Sequence, residues 1–230
     1  MTVEFLWGGR AQPTRGPKPA LSLEQITDAA IAVADADGLA RVSMQRVAAD
    51  LGYTKMSLYR YLPGKAELVA LMVERVMGEP PALPAAEWRE SLAEWTRLLM
   101  AGFVRHPWSL AATVGARPLG PHELGWMECA LTALAGSPLS GSERLDAMVV
   151  LVGHARMLAE QATSRHAEAQ LSAAIAAVIQ QHGERFPRLA GAMAEAAAAG
   201  EQDQAFDFGL DRILDGLEAL IRSRGGSRRP

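Results

Sequence analysis

Lys55, Met56, Ser57, Arg60 and Tyr61 fall in one short stretch that offers an ammonium, a guanidinium, two hydroxyls and a thioether methyl. These groups suit DNA: cations and hydroxyls hold phosphates, lysine donates to guanine O6 and N7, and an apolar tip meets the thymine methyl. No other constellation in the chain competes with it. The sequence holds no HExxH, no paired-carboxylate motif, no phosphate loop and no serine or cysteine beside a base, so no catalytic residue, metal ligand or cofactor is expected. His154 stands alone on an apolar face, the usual setting of a core histidine with a satisfied hydrogen bond. The chain does not read as an enzyme.

The elements that position the first group are two short helices within SMQRVAADLGYTKMSLYRYL, Ser43 to Leu62. Met44, Val47, Ala48 and Leu51, then Leu58 and Leu62, recur at helical spacing and form one packing face. Ser43 caps the first helix, and Thr54 is of a type that caps the second. A tight turn containing Gly52 joins them, and Lys55, Met56, Ser57, Arg60 and Tyr61 point outward. This is a helix-turn-helix, whose second helix enters the major groove. Leu58 and part of Tyr59 also fit a simple core role.

A chain of 230 residues rich in Ala, Leu, Glu and Arg, with prolines between periodic segments, predicts an all-α protein with a small domain followed by a larger one. The boundaries read as an arm over 1–20, a DNA-binding domain over 21–78, a regulatory domain over 85–224 and a tail over 225–230. The formal net charge is −3. Nine Lys/Arg face seven Asp/Glu from Arg10 to Met77, and fourteen face eighteen beyond it, so the cationic surplus lies in the first part. Arg10, Arg15, Lys18, Arg46, Lys55, Arg60 and Lys65 could form a locally basic surface. The single Cys129 fits a reducing cytoplasm, and neither a signal peptide nor a membrane span of about 20 apolar residues is evident.

Glycines and prolines before Ala20 exclude a helix there, leaving either a disordered tail or an arm that wraps DNA through Arg10, Arg15 or Lys18. Ser22 and Gln25 form a capping-box pair that opens a helix with Leu23, Ile26, Ala30 and Val33 buried, ended by Gly38. Lys65 opens a further helix striped by Leu68, Leu71, Met72 and Val76, where its ammonium and the first free N–H groups suit a phosphate. GEPPALP, from Gly78 to Pro84, breaks the periodicity. Beyond it Trp88, Leu92, Trp95, Leu99 and Phe103 stripe one helix, and Leu124, Met127, Leu131 and Leu134 another. Ser140 and Glu143 cap a long helix with Leu145, Met148, Val149, Val152, Ala155 and Ala159 along one side. An alanine-rich segment and a weakly specified helix from Arg188 to Ala199 follow, and a broad apolar face from Phe206 to Ile221 ends the chain.

GLARVSMQRVAADLGYTKMSLYRYLPGKAELVALM resembles the DNA-binding domain of the TetR family of bacterial one-component transcriptional regulators. The order of the later helices, with HPW and LGPHELGWMECALTAL, is similar to members with a tetracycline-repressor-like C-terminal domain. The resemblance implies that Gln45, Lys55 and Met56 face base edges of double-stranded DNA, and that Tyr59, Tyr61 and Lys65 hold phosphates, with Ser43 assisting. Met56 and Tyr61 depart from the residue types the family commonly places there. It also implies a homodimer joined by two C-terminal-domain helices of each subunit, and a cavity in each subunit for a small-molecule effector. Trp95, Leu99, Phe103, Trp108, Trp126, Met127, His154, Met157 and Glu160 are the cavity candidates, their aromatic and thioether walls suited to an amphipathic molecule. Arg117 and His122 are further polar candidates. The expected protein is a cytoplasmic homodimeric repressor that reads an inverted repeat and is released by its effector. An activator of the same family and a helical assembly protein without DNA affinity are the alternatives.

Overall fold

The computed structural model describes residues 5–8, 21–83, 87–200 and 204–226, and every α-helix or 3-10 turn in them belongs to an all-α architecture without strands among the described residues. The chain divides into two compact units, Met1–Ser137 and Pro138–Pro230.

In the first unit the head is built from α1 (Leu23–Asp37), α2 (Met44–Asp50), α3 (Lys55–Tyr59) and α4 (Lys65–Met77). The Ser22–Gln25 capping box closes the start of α1, and Gly38, at φ +83°, ends it in a conformation open to glycine. Ile26, Ala30 and Val33 of α1 pack with Val47, Leu58, Leu62, Leu68 and Met72 in one cluster. Three more helices follow among the described residues of the unit: α5 (Trp88–Arg105), α6 (Trp108–Ala112) and α7 (Pro121–Ala133). Trp108 and Ala112 of α6 belong to the head's own cluster.

Three outcomes differ from the periodicity. The arm expected over 1–20 does not hold for residues 5–8, which form a turn with Leu6 buried, Phe5 against the head cluster and the Trp7 indole donating to the Leu119 carbonyl at 3.2 Å. Three adjacent apolar side chains there outweigh the glycines and prolines that follow; Arg10, Arg15 and Lys18 lie outside the described residues. On α7 the buried face is Glu123, Trp126 and Ala130, and Leu124 and Met127 are exposed, because a paired carboxylate and an indole occupy the inward side. On the helix that Ser140 opens, Leu145 and Val149 are likewise exposed.

The second unit holds α8 (Gly141–Thr163), α9 (Arg165–His182), α10 (Pro187–Ala199) and α11 (Ala205–Gly226). Met148, Leu151, Ala155 and Leu158 of α8 face Leu210, Leu214 and Leu217 of α11, which packs along it. Gly209 is required at one crossing, since a Cβ there would run into the His154 ring. No described residue of α9 or α10 is buried, and Ile175, Val178, Phe186 and Leu189 leave apolar surface in solvent.

At the start of α8, the Ser140 backbone N–H and the Arg224 guanidinium hold the Glu143 carboxyl below its ordinary range. A depressed folded-state value adds stability above the unfolded value of about 4.3, and that contribution is lost as pH falls through the folded one. Arg224→Ala is therefore expected to lower Tm near neutrality and to match the wild type in acid, which a thermal melt across pH 2–7 reads.

Candidate DNA interface and ligand cavity

The α2–α3 pair has the geometry its sequence dictates. The Ser43 hydroxyl accepts the Arg46 backbone N–H at 3.1 Å, so capping commits it to the helix start, while Gln45 is exposed beside it. Gly52, at φ +74°, makes the turn, and the Tyr53 N–H returns to the Ala48 carbonyl at 2.8 Å. Thr54 sits at the N-cap of α3, but its hydroxyl lies 3.0 Å from the Ser57 hydroxyl and caps no backbone group. The expected cap is made by position alone.

Leu58, 0% exposed, and Leu62 anchor α3 into the head. Lys55, Met56, Tyr59 and Arg60 are thereby exposed, Met56 to 72%. The Lys55 ammonium lies 5.4 Å from the Tyr59 ring centroid, a cation–π contact that limits the rotamers of a long side chain. Ser57 is half-buried. Tyr61, expected to point outward, is half-buried against the head cluster, because its position follows Leu58 by three residues and so shares that face. Lys65 opens α4 after Gly64, a start without a side-chain cap, and its ammonium lies 3.4 Å from the Leu39 carbonyl.

Arg46 leaves the basic surface. Its guanidinium is held by Asp50 at 2.9 Å and Asp37 at 3.3 Å, and the bond to Asp50 chiefly pushes its pKa up.

A cavity of about 290 Å³ lies within the same unit, bounded by α4, α5, α6 and α7. Of the nine residues expected at a ligand, Leu99, Phe103 and Trp126 line it, joined by Val73 and Met77 of α4. Trp95 is 2% exposed and stands behind Trp126, its indole N–H donating to the Trp126 carbonyl at 2.9 Å. Trp108 turns away into the head: its indole donates to Asp35 Oδ1 at 2.7 Å, and His106 Nδ1 lies 2.8 Å from the same oxygen. Met127 faces solvent. In the second unit His154 donates to the Phe206 carbonyl at 2.8 Å and stacks on the Phe206 ring, while Met157 and Glu160 are exposed.

Ser109 and Thr113 bring hydroxyls to the cavity, each already donating to a backbone carbonyl at 2.7 Å. Glu79 and Arg105 also line it, so the largely apolar walls carry two ionisable side chains, a lining for an amphipathic molecule. Arg117 and His122 serve structure instead, the first paired with Glu123 and the second with Glu74. Burial, with the Glu128 carboxylate, pushes the Cys129 thiol pKa up, which disfavours the reactive thiolate.

An exposed helix-turn-helix on an all-α head, with a cavity among the helices that follow, is an arrangement that suits a DNA-binding transcriptional regulator. The chain belongs to the TetR family: residues 26–72 match the profile of the bacterial regulatory proteins of the tetR family, and residues 80–221 match the tetracyclin repressor-like C-terminal domain. The HTH-type transcriptional repressor DrrR1 of Streptomyces coeruleorubidus is 39% identical over 242 residues, covering 100% of this chain and 89% of the relative. Among solved structures, apo ActR of Streptomyces coelicolor aligns with a TM-score of 0.70 at 26% identity, covering 87% of this chain and 98% of that one. ActR in complex with actinorhodin aligns at 0.73 and 25% identity, over 88% and 97% of the two chains. The family's regulators are not enzymes. No helix among the described residues is long and apolar enough to cross a membrane, and no His, Cys, Asp and Glu among them group as a metal site.

Proposed function

We propose that the protein is a cytoplasmic homodimeric repressor that binds an inverted-repeat operator and leaves it when a small molecule fills the α4–α7 cavity. The carrying observation is that α4 serves both sites: Lys65 at its start follows the recognition helix closely, and Val73 and Met77 near its end wall the cavity. A molecule pressing on that wall acts on the helix that supports the reading head. The repressor relative and the ActR–actinorhodin complex support both halves of the reading.

In this reading the head spans 21–78 and the regulatory domain 85–224. Gln45, Thr54, Lys55, Met56, Ser57 and Arg60 serve the base edges and their surroundings, and Ser43, Tyr59, Tyr61 and Lys65 serve the phosphates. Leu99, Phe103 and Trp126 touch the effector. Pairing runs through α8 and α11: Leu145, Val149, Gly153 and Met157 recur every four residues as an exposed stripe on α8, and Phe208 is exposed on α11. A stripe of that length on a lone chain marks a protein interface. Two heads roughly 34–36 Å apart would then meet successive major grooves.

Selection of bound duplexes from random DNA tests this. The expected result is a twofold-symmetric consensus whose affinity falls steeply with salt; recovery of asymmetric sites, or of none, defeats the reading. Lys65→Ala should weaken binding to all sequences alike and reduce the salt slope by about 1 for each phosphate no longer neutralised. Actinorhodin is the first probe for release, read by fluorescence anisotropy of the labelled duplex.

A further inference from the structure

We propose that Glu74 is the positioning residue that ties occupation of the cavity to the DNA-binding head, by gripping the start of α7 from α4. The inference rests on the ligand-release reading above.

A carboxylate inside a packed helix is costly to bury unless hydrogen bonds replace its water. Glu74 is 8% exposed, and what replaces the water is another helix's backbone. α7 begins with Pro121, which has no N–H, so the first donors it leaves unsatisfied are those of His122 and Glu123. Its N-cap is Gly120, which has no side chain to offer. The Glu74 carboxylate supplies the cap from α4, accepting the His122 N–H on one oxygen and the Glu123 N–H, at 3.4 Å, on the other. The positive end of the α7 dipole favours that charge. His122 completes the link by donating from Nδ1 to the Glu74 carbonyl at 3.0 Å.

The fit leaves no slack. A Cβ on Gly120 would overlap the Glu74 carboxylate, and one on Gly125 would overlap the Pro80 ring. Further along the same seam the Trp126 indole donates to the Met77 carbonyl at 3.2 Å. Met77 and Trp126 are also walls of the cavity. A molecule there touches both sides of a seam that Glu74 holds shut, so movement of α7 is transmitted to α4. α4 in turn lodges Leu68 and Met72 in the head cluster and carries Lys65. Without the grip, α7 can shift while α4 stays in place on the DNA.

A tethered surrogate replaces the unidentified effector in the test. Gly102 lines the cavity from α5, and a Cβ there meets nothing within 4 Å, so Gly102→Phe places a ring in the space. In the full-length protein Gly102→Phe is expected to weaken binding to the selected duplex about 10-fold or more, within the ordinary range of allosteric couplings. Glu74→Gln alone should leave that affinity within about twofold of wild type, and in the double variant should reduce the Gly102→Phe effect to about twofold or less. Gly120→Ala, which pushes the carboxylate off from the α7 side, should act as Glu74→Gln does. It decides the matter if the glutamine variant does not fold, which circular dichroism at the assay temperature reports. If Gly102→Phe weakens binding equally with and without Glu74→Gln or Gly120→Ala, Glu74 is not the link and the release reading stands. If Gly102→Phe leaves DNA binding unchanged, the release reading fails and this inference fails with it.

Discussion

Trp95→Ala is expected to destabilise the first unit by about 3–5 kcal/mol, the usual loss when a large aromatic is removed from a packed interior. Trp95 is among the largest fully buried side chains, and its indole joins α5 to α7 through the Trp126 carbonyl. Urea unfolding followed by far-UV circular dichroism should show the first unit's midpoint falling with its slope unchanged. Trp95→Phe separates the contributions: it keeps most of the buried surface and forfeits a hydrogen bond of about 0.5–1.5 kcal/mol. A phenylalanine variant as unstable as the alanine one would make the bond to Trp126, and not buried volume, the dominant attachment.

Lys55→Ala is expected to cost about 1–3 kcal/mol at each half-site and, in the proposed symmetric dimer, which would read its operator twice, about 2–6 kcal/mol for the whole of it. The loss should concentrate at one base pair per half-site, since a lysine reaching guanine discriminates among bases. Its ammonium is exposed and lies over the Tyr59 ring, so the side chain is partly ordered before DNA arrives. Anisotropy titrations against the consensus and single-base variants check this. Equal weakening on every duplex would move Lys55 from base reading to phosphate holding. Lys55→Arg should recover most of the affinity, because guanidinium reaches the same guanine edge in bidentate form.

What could be read from residue spacing was mostly local. Both capping boxes and the helix-turn-helix follow from signals within a few residues, and all are present. The inward side of α7 did not follow. Periodicity places Leu124 and Met127 inside, whereas Glu123 is buried because Arg117 and the neighbouring Glu74 network satisfy that face. Asp35 and Glu74 were equally hidden: each meets partners far along the chain, Trp108 for the first and His122 for the second, and a carboxylate without visible partners reads as solvated. For the cavity, aromatic residues at helical spacing mark apolar interior in general. They cannot divide Trp126, at the wall, from Trp95 behind it or Trp108 in the head.

α9 and α10 bury none of their described residues, although together they make up much of the second unit. Their hydrogen bonds are thus protected by the helices themselves and by little tertiary structure. Opening them costs far less than unfolding either core, so their amides should exchange with deuterium long before those of α8 and α11. The same sparse packing makes this pair of helices the place where residues can be inserted or exchanged with the least penalty to the remainder of the molecule.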